Sequence, residues 1–336
     1  ATVGSQTYSG AVTLSGGNRR LTATTVTTES TVNGGGNNLT VAADDFVVEG
    51  AIQNIRSLTV SGNASLGADI STTGAQTYVG TLTVTRNHRT LTASSVNTQS
   101  NVIGGGYNLI ITGNADIDGA ITGVTSLSVS GTSNLGADVT TSGSQTYTGA
   151  VTLSGGNRTL TGTTINTAST LAGGNNSLTI TGNADVDGAI TGVTNLSVSG
   201  TSNLGANVTT TGTQTYSGAL TLSGGNRTLS ATDSQITFSD IVNSEATQTR
   251  GLTMNVGTSQ VVLNGVVGGA ANGGLGAIAI TGNLDLNNTI SSAASLSVSG
   301  TSPFTMRWAK PSTIAVLPTP GSPINTGLFL VRRCKI

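Results

Sequence analysis

The chain has 336 residues, 48 of which are glycine, and only 8% of its side chains are charged and 3% aromatic. A net charge of −1 without a basic stripe argues against nucleic-acid binding, and the lack of an apolar run of about 18 residues argues against a membrane span. Hydrophobic residues still make up 35%, which excludes the charge-rich disordered class.

A recurring phrase, Gly-x-Gln-Thr-Tyr, divides the sequence into units that begin near residues 4, 74, 143 and 212. The intervals between these starts are 70, 69 and 69 (74 − 4, 143 − 74 and 212 − 143). A second phrase, Leu-Ser/Thr-Val-Ser-Gly, recurs at Leu58, Leu127, Leu196 and Leu296. A fixed period is typical of folds in which each unit buries its apolar face against its neighbour.

Apolar and small polar residues alternate within each unit, as in Leu178-Thr179-Ile180 and Leu196-Ser197-Val198. This period of two predicts strands with one buried face, and the Gly, Asn and Asp clusters between them predict tight turns. Leu160, Leu178 and Leu196 are evenly spaced at an interval of 18 (178 − 160 and 196 − 178), so each unit is expected to form three to four coils.

We therefore predict an all-β fold, a parallel β-helix or β-solenoid, with Leu, Ile and Val inward and Ser and Thr outward. Right-handed coils are expected from the general preference of crossover connections. A β-propeller is the main alternative, but its blades of about 40–50 residues fit the shorter spacing of these leucines less well.

The fourth unit is longer than the others, because the interval from Leu196 to Leu296 is 100 (296 − 196) where 69 is expected. The excess falls at about 232–276 and predicts extra coils or a longer loop, with a grafted binding loop as the alternative. Residues 1–302 are expected to form the solenoid body. Residues 303–336 hold all five prolines, Trp308 and Cys334, and are interpreted as a cap, a linker or a segment of non-native reading frame.

Two pairs of carboxylates could carry chemistry, because each lies on one strand face: Asp116 with Asp118, and Asp185 with Asp187. Such pairs serve acid–base catalysis or bind cations. The pairs are not kept in the other units, and several coils separate one from the other. We interpret them as turn or solvated residues, and predict no enzyme activity, no cofactor, and no catalytic, cofactor-binding or metal-binding residue.

Other recurring residues have simpler interpretations. His88 replaces an Asn of the other units and is expected in a surface turn without a metal partner. The glycine triplets 34–36 and 104–106 predict turns, since the Lys and helix of a phosphate loop are missing. Thr-x-Thr pairs occur too irregularly to favour an ice-binding surface.

One arginine and one tyrosine recur at the unit period. A row of arginines could contact anions or glycans, and a row of tyrosines could stack on sugars. We expect instead that the arginines solubilise turns and that the tyrosines pack at corners. The residues are Arg19, Arg89, Arg158, Arg227, Tyr8, Tyr78, Tyr147 and Tyr216.

Phrases such as residues 211–222, Thr-Gly-Thr-Gln-Thr-Tyr-Ser-Gly-Ala-Leu-Thr-Leu, resemble the repeats of filamentous-haemagglutinin-like adhesins and of autotransporter passengers. The resemblance covers residues 1–302. It implies a right-handed β-helical shaft exported to the outside of a bacterial cell, and it carries over no functional residue.

The sequence and this resemblance together favour a structural shaft of an extracellular or cell-surface bacterial adhesin or filament. The expected partners are further copies of the chain, in end-to-end or lateral assembly, and host or surface glycans. The alternative is a carbohydrate-binding or polysaccharide-degrading β-helix, similar to a phage tail spike. A cluster of carboxylates on neighbouring coils would distinguish the alternative.

Overall fold

A computed structural model describes residues 4–270 and 273–300, together with the backbone of 315–318 and 329–332. The chain forms two compact units, Ala1–Ser169 and Thr170–Ile336. Each unit is a parallel β-solenoid, and the described residues contain no helix. The predicted fold class is therefore confirmed.

The first unit consists of short strands separated by turns, with some longer strands that bend around a corner of the coil. Its strands are β1 Gln6–Tyr8, β2 Val12–Thr13, β3 Arg19–Thr28, β4 Val32–Asn33, β5 Leu39–Val48, β6 Ile52–Ile55, β7 Leu58–Val60, β8 Asn63–Leu66, β9 Ile70–Thr72, β10 Gln76–Tyr78, β11 Leu82–Val84, β12 Arg89–Thr98, β13 Val102–Ile103, β14 Leu109–Ile117, β15 Ile121–Val124, β16 Leu127–Val129, β17 Ser133–Leu135, β18 Val139–Thr141, β19 Gln145–Tyr147, β20 Val151–Leu153 and β21 Arg158–Thr167.

Strand pairing in this unit defines three faces, each a column of parallel strands whose inward residues lie in register. The inward column of face A is Gln6, Val26, Phe46, Ala64, Leu82, Val102, Ile121, Val139 and Leu160. That of face B is Leu39, Leu58, Gln76, Val96, Ala115, Ser133 and Val151. That of face C is Val32, Ile52, Ile70, Leu91, Ile111, Val129, Tyr147 and Thr167.

The sequence repeat and the coil of this unit do not coincide. Gln6 lies on face A, Gln76 on face B, and Gln145 on face C. From Gln6 the chain passes through three full coils and two further faces before it reaches Gln76, so one sequence repeat makes 3⅔ coils. A coil therefore takes roughly 19 residues, close to what three short strands and their turns require. The expected range of three to four coils holds, but the number is not whole.

Alternation with a period of two explains why the same phrase fits on every face. An inward Gln-x-Tyr needs only a short strand of the kind that each face offers once per coil. The phrase therefore has no preferred face, and successive copies lie on successive faces of the first unit.

The second unit contains three inward columns of its own. Its strands are β22 Leu171–Val186, β23 Ile190–Val198, β24 Ser202–Leu204, β25 Val208–Thr210, β26 Gln214–Tyr216, β27 Leu220–Leu222, β28 Arg227–Ala231, β29 Ile236–Phe238, β30 Val242–Ser244, β31 Leu252–Leu263, β32 Leu275–Leu286 and β33 Ala293–Ser299. Leu178 pairs with Leu196, so the regular leucine spacing seen in the sequence is one coil of this unit.

Residues of the stretch at 232–276 continue these columns rather than leaving them. Ile236 stacks on Gln214, and Val261 stacks on Ile236. The interval along the chain from Ile236 to Val261 is 25 (261 − 236), against 18 from Leu178 to Leu196 (196 − 178). The described part of this stretch therefore forms additional, longer coils of the solenoid, and it contains no grafted binding loop.

The interpretations of the tail at 303–336 lie outside the described residues, apart from one antiparallel backbone pairing. That pairing joins β34 Ala315–Pro318 and β35 Phe329–Arg332.

Leu, Ile and Val fill the interior, as expected, and most Ser and Thr residues face outward. Among the described residues, nine Ser and Thr side chains are buried instead. Five of these nine hydroxyls have no hydrogen-bond partner, namely those of Thr28, Thr98, Ser133, Thr167 and Ser202. Side chains along a strand alternate strictly between the two faces, so a small polar residue at an inward position is buried whatever its polarity.

Candidate functional site

The Gly-x-Gln-Thr-Tyr phrase forms a buried hydrogen-bonded motif inside the coil. Gln76 and Tyr78 both point inward from β10, and neither has any exposed surface. The Tyr78 hydroxyl donates to Oε1 of Gln76 at 2.9 Å. Nε2 of Gln76 donates to the carbonyl oxygens of Ile70 at 3.2 Å and Thr92 at 3.0 Å. Both polar side chains thus have hydrogen-bond partners within the core.

The two carbonyl groups belong to consecutive coils, so the Gln76 side chain connects one coil to the next. The segment Leu91-Thr92 lies directly against Ile70-Ser71, next to the corner between faces C and B. Buried backbone carbonyls near a corner require a partner when the strand ladder does not supply one. We call this arrangement of glutamine, tyrosine and carbonyl acceptors the glutamine staple.

The staple recurs in every sequence unit. Gln145 donates to the carbonyl oxygens of Val139 at 3.0 Å and Thr161 at 2.8 Å. Gln214 donates to the carbonyl oxygen of Ser230 at 2.8 Å, and Gln6 donates to that of Thr22 at 3.1 Å. In each copy the tyrosine two residues later donates to the glutamine Oε1, at 2.9 to 3.0 Å.

Three of the four recurrent tyrosines cannot stack on a sugar. Tyr78, Tyr147 and Tyr216 are fully buried at the last position of their strands, and this burial raises the pKa of each hydroxyl above its ordinary value. Tyr216 also stacks on Phe238 of the next coil, with ring centroids 5.3 Å apart. Tyr8, in the first described coil, is half-buried.

The recurrent arginines hold turns together, which corrects the expectation that they only solubilise them. The side chain of Arg158 is 11% exposed, and its Nε donates to the carbonyl oxygen of Ser154 at 3.0 Å. Arg19 and Arg227 bind the carbonyl four residues earlier in the same way. Arg89 follows a different turn and instead pairs with a carboxylate, that of Asp69, at 3.3 Å.

The carboxylates singled out in the sequence lie on the outer surface. Asp116 accepts a hydrogen bond from Asn134 on the next coil, and Asp185 accepts one from Asn203, both at 2.8 Å. Asp118 and Asp187 are exposed beside turns. Within the described ranges, no group of three or more His, Cys, Asp and Glu side chains is placed to hold a metal ion. The structure thus gives Asp116 and Asp185 a role in joining coils.

His88 lies in a surface turn, where it joins two coils. Its Nδ1 accepts a hydrogen bond from the backbone amide of Asn108 at 2.9 Å, and its ring meets that of Tyr107 edge-on at 6.3 Å. Asn18 and Asn226 accept the corresponding bond in their own units, at 2.9 and 2.7 Å. The histidine therefore replaces an asparagine without loss of the coil-to-coil contact.

One open groove lies on face A of the first unit, with a volume of about 450 Å³. Its polar lining includes Thr25, Asp45, Asn63, Thr81 and Thr83. The side-chain amide of Asn63 donates to Asp45 at 3.2 Å and accepts from the backbone amide of Thr81 at 3.1 Å. The Asn63 side chain is therefore held between the coil before it and the coil after it. Hydroxyl, amide and carboxylate groups in such a groove can exchange hydrogen bonds with a polyhydroxylated ligand.

Comparisons with known proteins do not assign the chain to a family. No protein-family model, no curated protein and no solved structure matches it. Among the residues that the structure describes, no helix is long and apolar enough to cross a membrane.

The structural role of the glutamine was not predicted from the sequence. Its signal was present, because a glutamine precedes the tyrosine by two residues in all four copies. An interval of two places both side chains on the same face of a strand. Only the buried carbonyl acceptors could not be predicted, since they come from residues six positions before and sixteen after the glutamine.

Proposed function

We propose that the chain is a segment of the structural shaft of an extracellular or cell-surface bacterial adhesin or filament. The observation that carries the proposal is the glutamine staple, which joins consecutive coils from the inside in every repeat. A side chain that is fully buried cannot meet a ligand, so its recurrence points to mechanical cohesion between coils. The resemblance to the repeats of large exported bacterial adhesins supports the same proposal.

Outer-surface contacts support cohesion as well. Asn134 and Asn203 each reach an aspartate of the preceding coil, and the turn residues His88 and Asn18 accept backbone amides of the following coil. A force that separates two coils must therefore break backbone pairs, interior staples and outer side-chain bonds together. Buried networks of this kind resist opening more strongly than isolated exposed bonds.

The test is surface labelling of intact source cells with an antibody to residues 1–300, read by electron microscopy before and after external protease. We expect label on the outer surface or on fibres, and persistence of the epitope after protease treatment. Label confined to the inside of the cell would refute the proposal. Purified protein carrying Gln76→Leu and Gln145→Leu is the matched comparison, because loss of staples should make the same epitope sensitive to protease.

Carbohydrate binding is a second candidate, favoured by the groove that contains Asp45 and Asn63. A panel of bacterial and host polysaccharides, tested by binding and by release of reducing ends, separates the two proposals. Binding that is lost in Asp45→Ala but kept in Asp116→Ala would favour the groove. Hydrolysis of any member would favour a depolymerising protein over a shaft.

A further inference from the structure

The groove on face A extends across four consecutive coils of the first unit. Its outward side chains form two rows in the register of the strands, because Asp45 lies against Thr25 of the coil before it and Asn63 of the coil after it. The first row is Thr25, Asp45, Asn63 and Thr81, and the second is Val47, Ser65 and Thr83. Neighbouring coils lie about 4.8 Å apart, so the first row is about 14 Å long. Each row therefore presents one side chain per coil along the axis of the solenoid.

These rows contain hydrogen-bonding capacity that the fold itself does not use. Asp45 accepts the Asn63 amide through Oδ1, and its Oδ2 has no partner among the described residues. The same is true of four half-buried hydroxyls, which belong to Thr25, Ser65, Thr81 and Thr83. A hydroxyl can both donate and accept, whereas a carboxylate oxygen only accepts. The groove can therefore exchange hydrogen bonds with hydroxyl groups of a ligand at each of its four coils.

The polar groups of the groove are held in position by the solenoid. Asn63 bonds to the coil on either side of it, and Asp45 is oriented by the Asn63 amide. The threonines are β-branched, so few rotamers are open to them on a strand. Groups that are fixed before a ligand arrives lose little conformational entropy when it binds. The spacing of the coils is therefore also the spacing at which a ligand has to present its own polar groups.

The charges of the groove disfavour an acidic ligand. Among the described residues that line it, Asp45 is the one with a charge. The nearby Arg86 lies over Gly67, where an added Cβ would be 3.4 Å from the Arg86 Cδ, and its guanidinium is paired with Glu49. A polyanion would thus meet a carboxylate without a free cation to balance it. The half-buried Val47 adds an apolar contact that suits the C–H face of a sugar ring.

We propose that the groove binds a linear, uncharged, β-1,4-linked glycan that lies along the solenoid axis with one sugar ring per coil. The rise of one hexose in such an extended chain is close to the spacing of the coils, so successive rings each meet the side chains of one coil. The four coils of the groove then provide four sugar-binding positions. This inference rests on the second of the proposed functions, carbohydrate binding, and names the class of the ligand and its direction.

The test measures the affinity of the full chain for oligosaccharides of two to six sugars by titration calorimetry. The neutral probes are unbranched β-1,4-linked oligomers of glucose, of N-acetylglucosamine and of mannose. Affinity for at least one series should rise with each added sugar up to four and then stay constant. Oligomannuronate of the same lengths, which differs from the mannose series only in its carboxylates, should bind at least about 10-fold less tightly because like charges oppose each other.

Two variants place the ligand on the coils. Thr25→Val and Thr81→Val each remove one hydroxyl from an end of the groove and keep the β-branched shape that suits a strand. Each should weaken binding of the four-sugar oligomer by about 3-fold to 10-fold, the effect of one lost hydrogen bond. Thr152→Val is the matched control, because Thr152 is an exposed outward residue of a strand on face B and should not affect binding.

Three results would overturn the inference. They are the absence of binding by every neutral series at millimolar concentration, tighter binding of oligomannuronate, and equal affinity in Thr25→Val, Thr81→Val and Thr152→Val. Equal affinity would leave carbohydrate binding in place at another site, whereas the absence of binding would remove the second proposed function as well. None of the three results would affect the surface-labelling test of the shaft.

Discussion

Replacing Gln76 by leucine removes one staple and leaves its neighbours in place. The carbonyl oxygens of Ile70 and Thr92 lose their side-chain donor, and the hydroxyl of Tyr78 loses its acceptor. Water cannot replace the amide easily, because Gln76 has no exposed surface. The substitution therefore leaves the hydroxyl of Tyr78 without its acceptor and removes one hydrogen bond from each of the two carbonyl groups.

The magnitude follows from these three lost bonds. An unpaired Tyr78 hydroxyl costs about 1–3 kcal/mol and each lost bond to a carbonyl about 0.5–1.5 kcal/mol, which together make about 2–6 kcal/mol. Burial of the apolar leucine returns about 2 kcal/mol. We expect the local free energy of opening to fall by about 2 kcal/mol, the middle of the remaining range of about 0–4 kcal/mol, which corresponds to roughly 30-fold faster exchange of backbone amides.

Native-state hydrogen exchange, read by mass spectrometry of peptides, measures the free energy of opening region by region. A local measurement is needed because a repeat fold does not unfold in one cooperative step. Peptides within residues 58–98 should exchange faster in Gln76→Leu, while those within 127–167 should not change. Thr77→Ser, on the outward side of the same strand, is the control. Wild-type exchange rates in both regions of Gln76→Leu would show that the staple does not hold the coils together.

Three further predictions concern the interior and the close contacts of the backbone. Burial raises the pKa of the three buried tyrosines, so they keep their protons in the folded state. Their contribution to stability should be constant below pH of about 10 and fall above it, by about 1.4 kcal/mol per pH unit for each tyrosine that ionises only on unfolding, as urea titrations at alkaline pH would show. Ser133→Ala should raise the melting temperature by removing an unpaired buried hydroxyl worth about 1 kcal/mol or more; an unchanged or lower value would contradict this. Gly113→Ala should destabilise by several kcal/mol, since a Cβ would lie 1.9 Å from the carbonyl oxygen of Ala93 at φ of +134°, whereas Gly10→Ala, with open space, should be close to neutral in the same thermal assay.

The fold class could be predicted from the sequence because alternation and period are local signals. The alternation in Leu178-Thr179-Ile180 already shows which side chains point inward. The interval from Leu178 to Leu196 already gives the number of residues in one coil. The number of coils per repeat could not be predicted. It depends on which face receives each strand, and an alternating strand such as Gln76-Thr77-Tyr78 fits all three.

The roles of recurrent polar residues were harder to predict than their positions. A tyrosine in a glycine-rich repeat suits a surface or a corner as well as a core. The decision depends on acceptors that lie elsewhere in the chain, such as the carbonyl of Thr92 for the pair of Gln76 and Tyr78. Arg158 was misjudged for a similar reason, since its acceptors are backbone carbonyls of its own turn.

A repeat of 3⅔ coils also bears on how such a protein can change its length through evolution. Duplication or loss of one sequence unit would preserve the inward alternation, so the gene could grow or shrink by single units without a mispacked junction. Every outward feature beyond the junction would then turn to a different side, as the positions of Gln6, Gln76 and Gln145 on faces A, B and C illustrate. Only a change of three units would restore the original orientation. Selection for a surface feature on one side would therefore favour length variants that differ by multiples of three repeats, whereas selection for length alone would not.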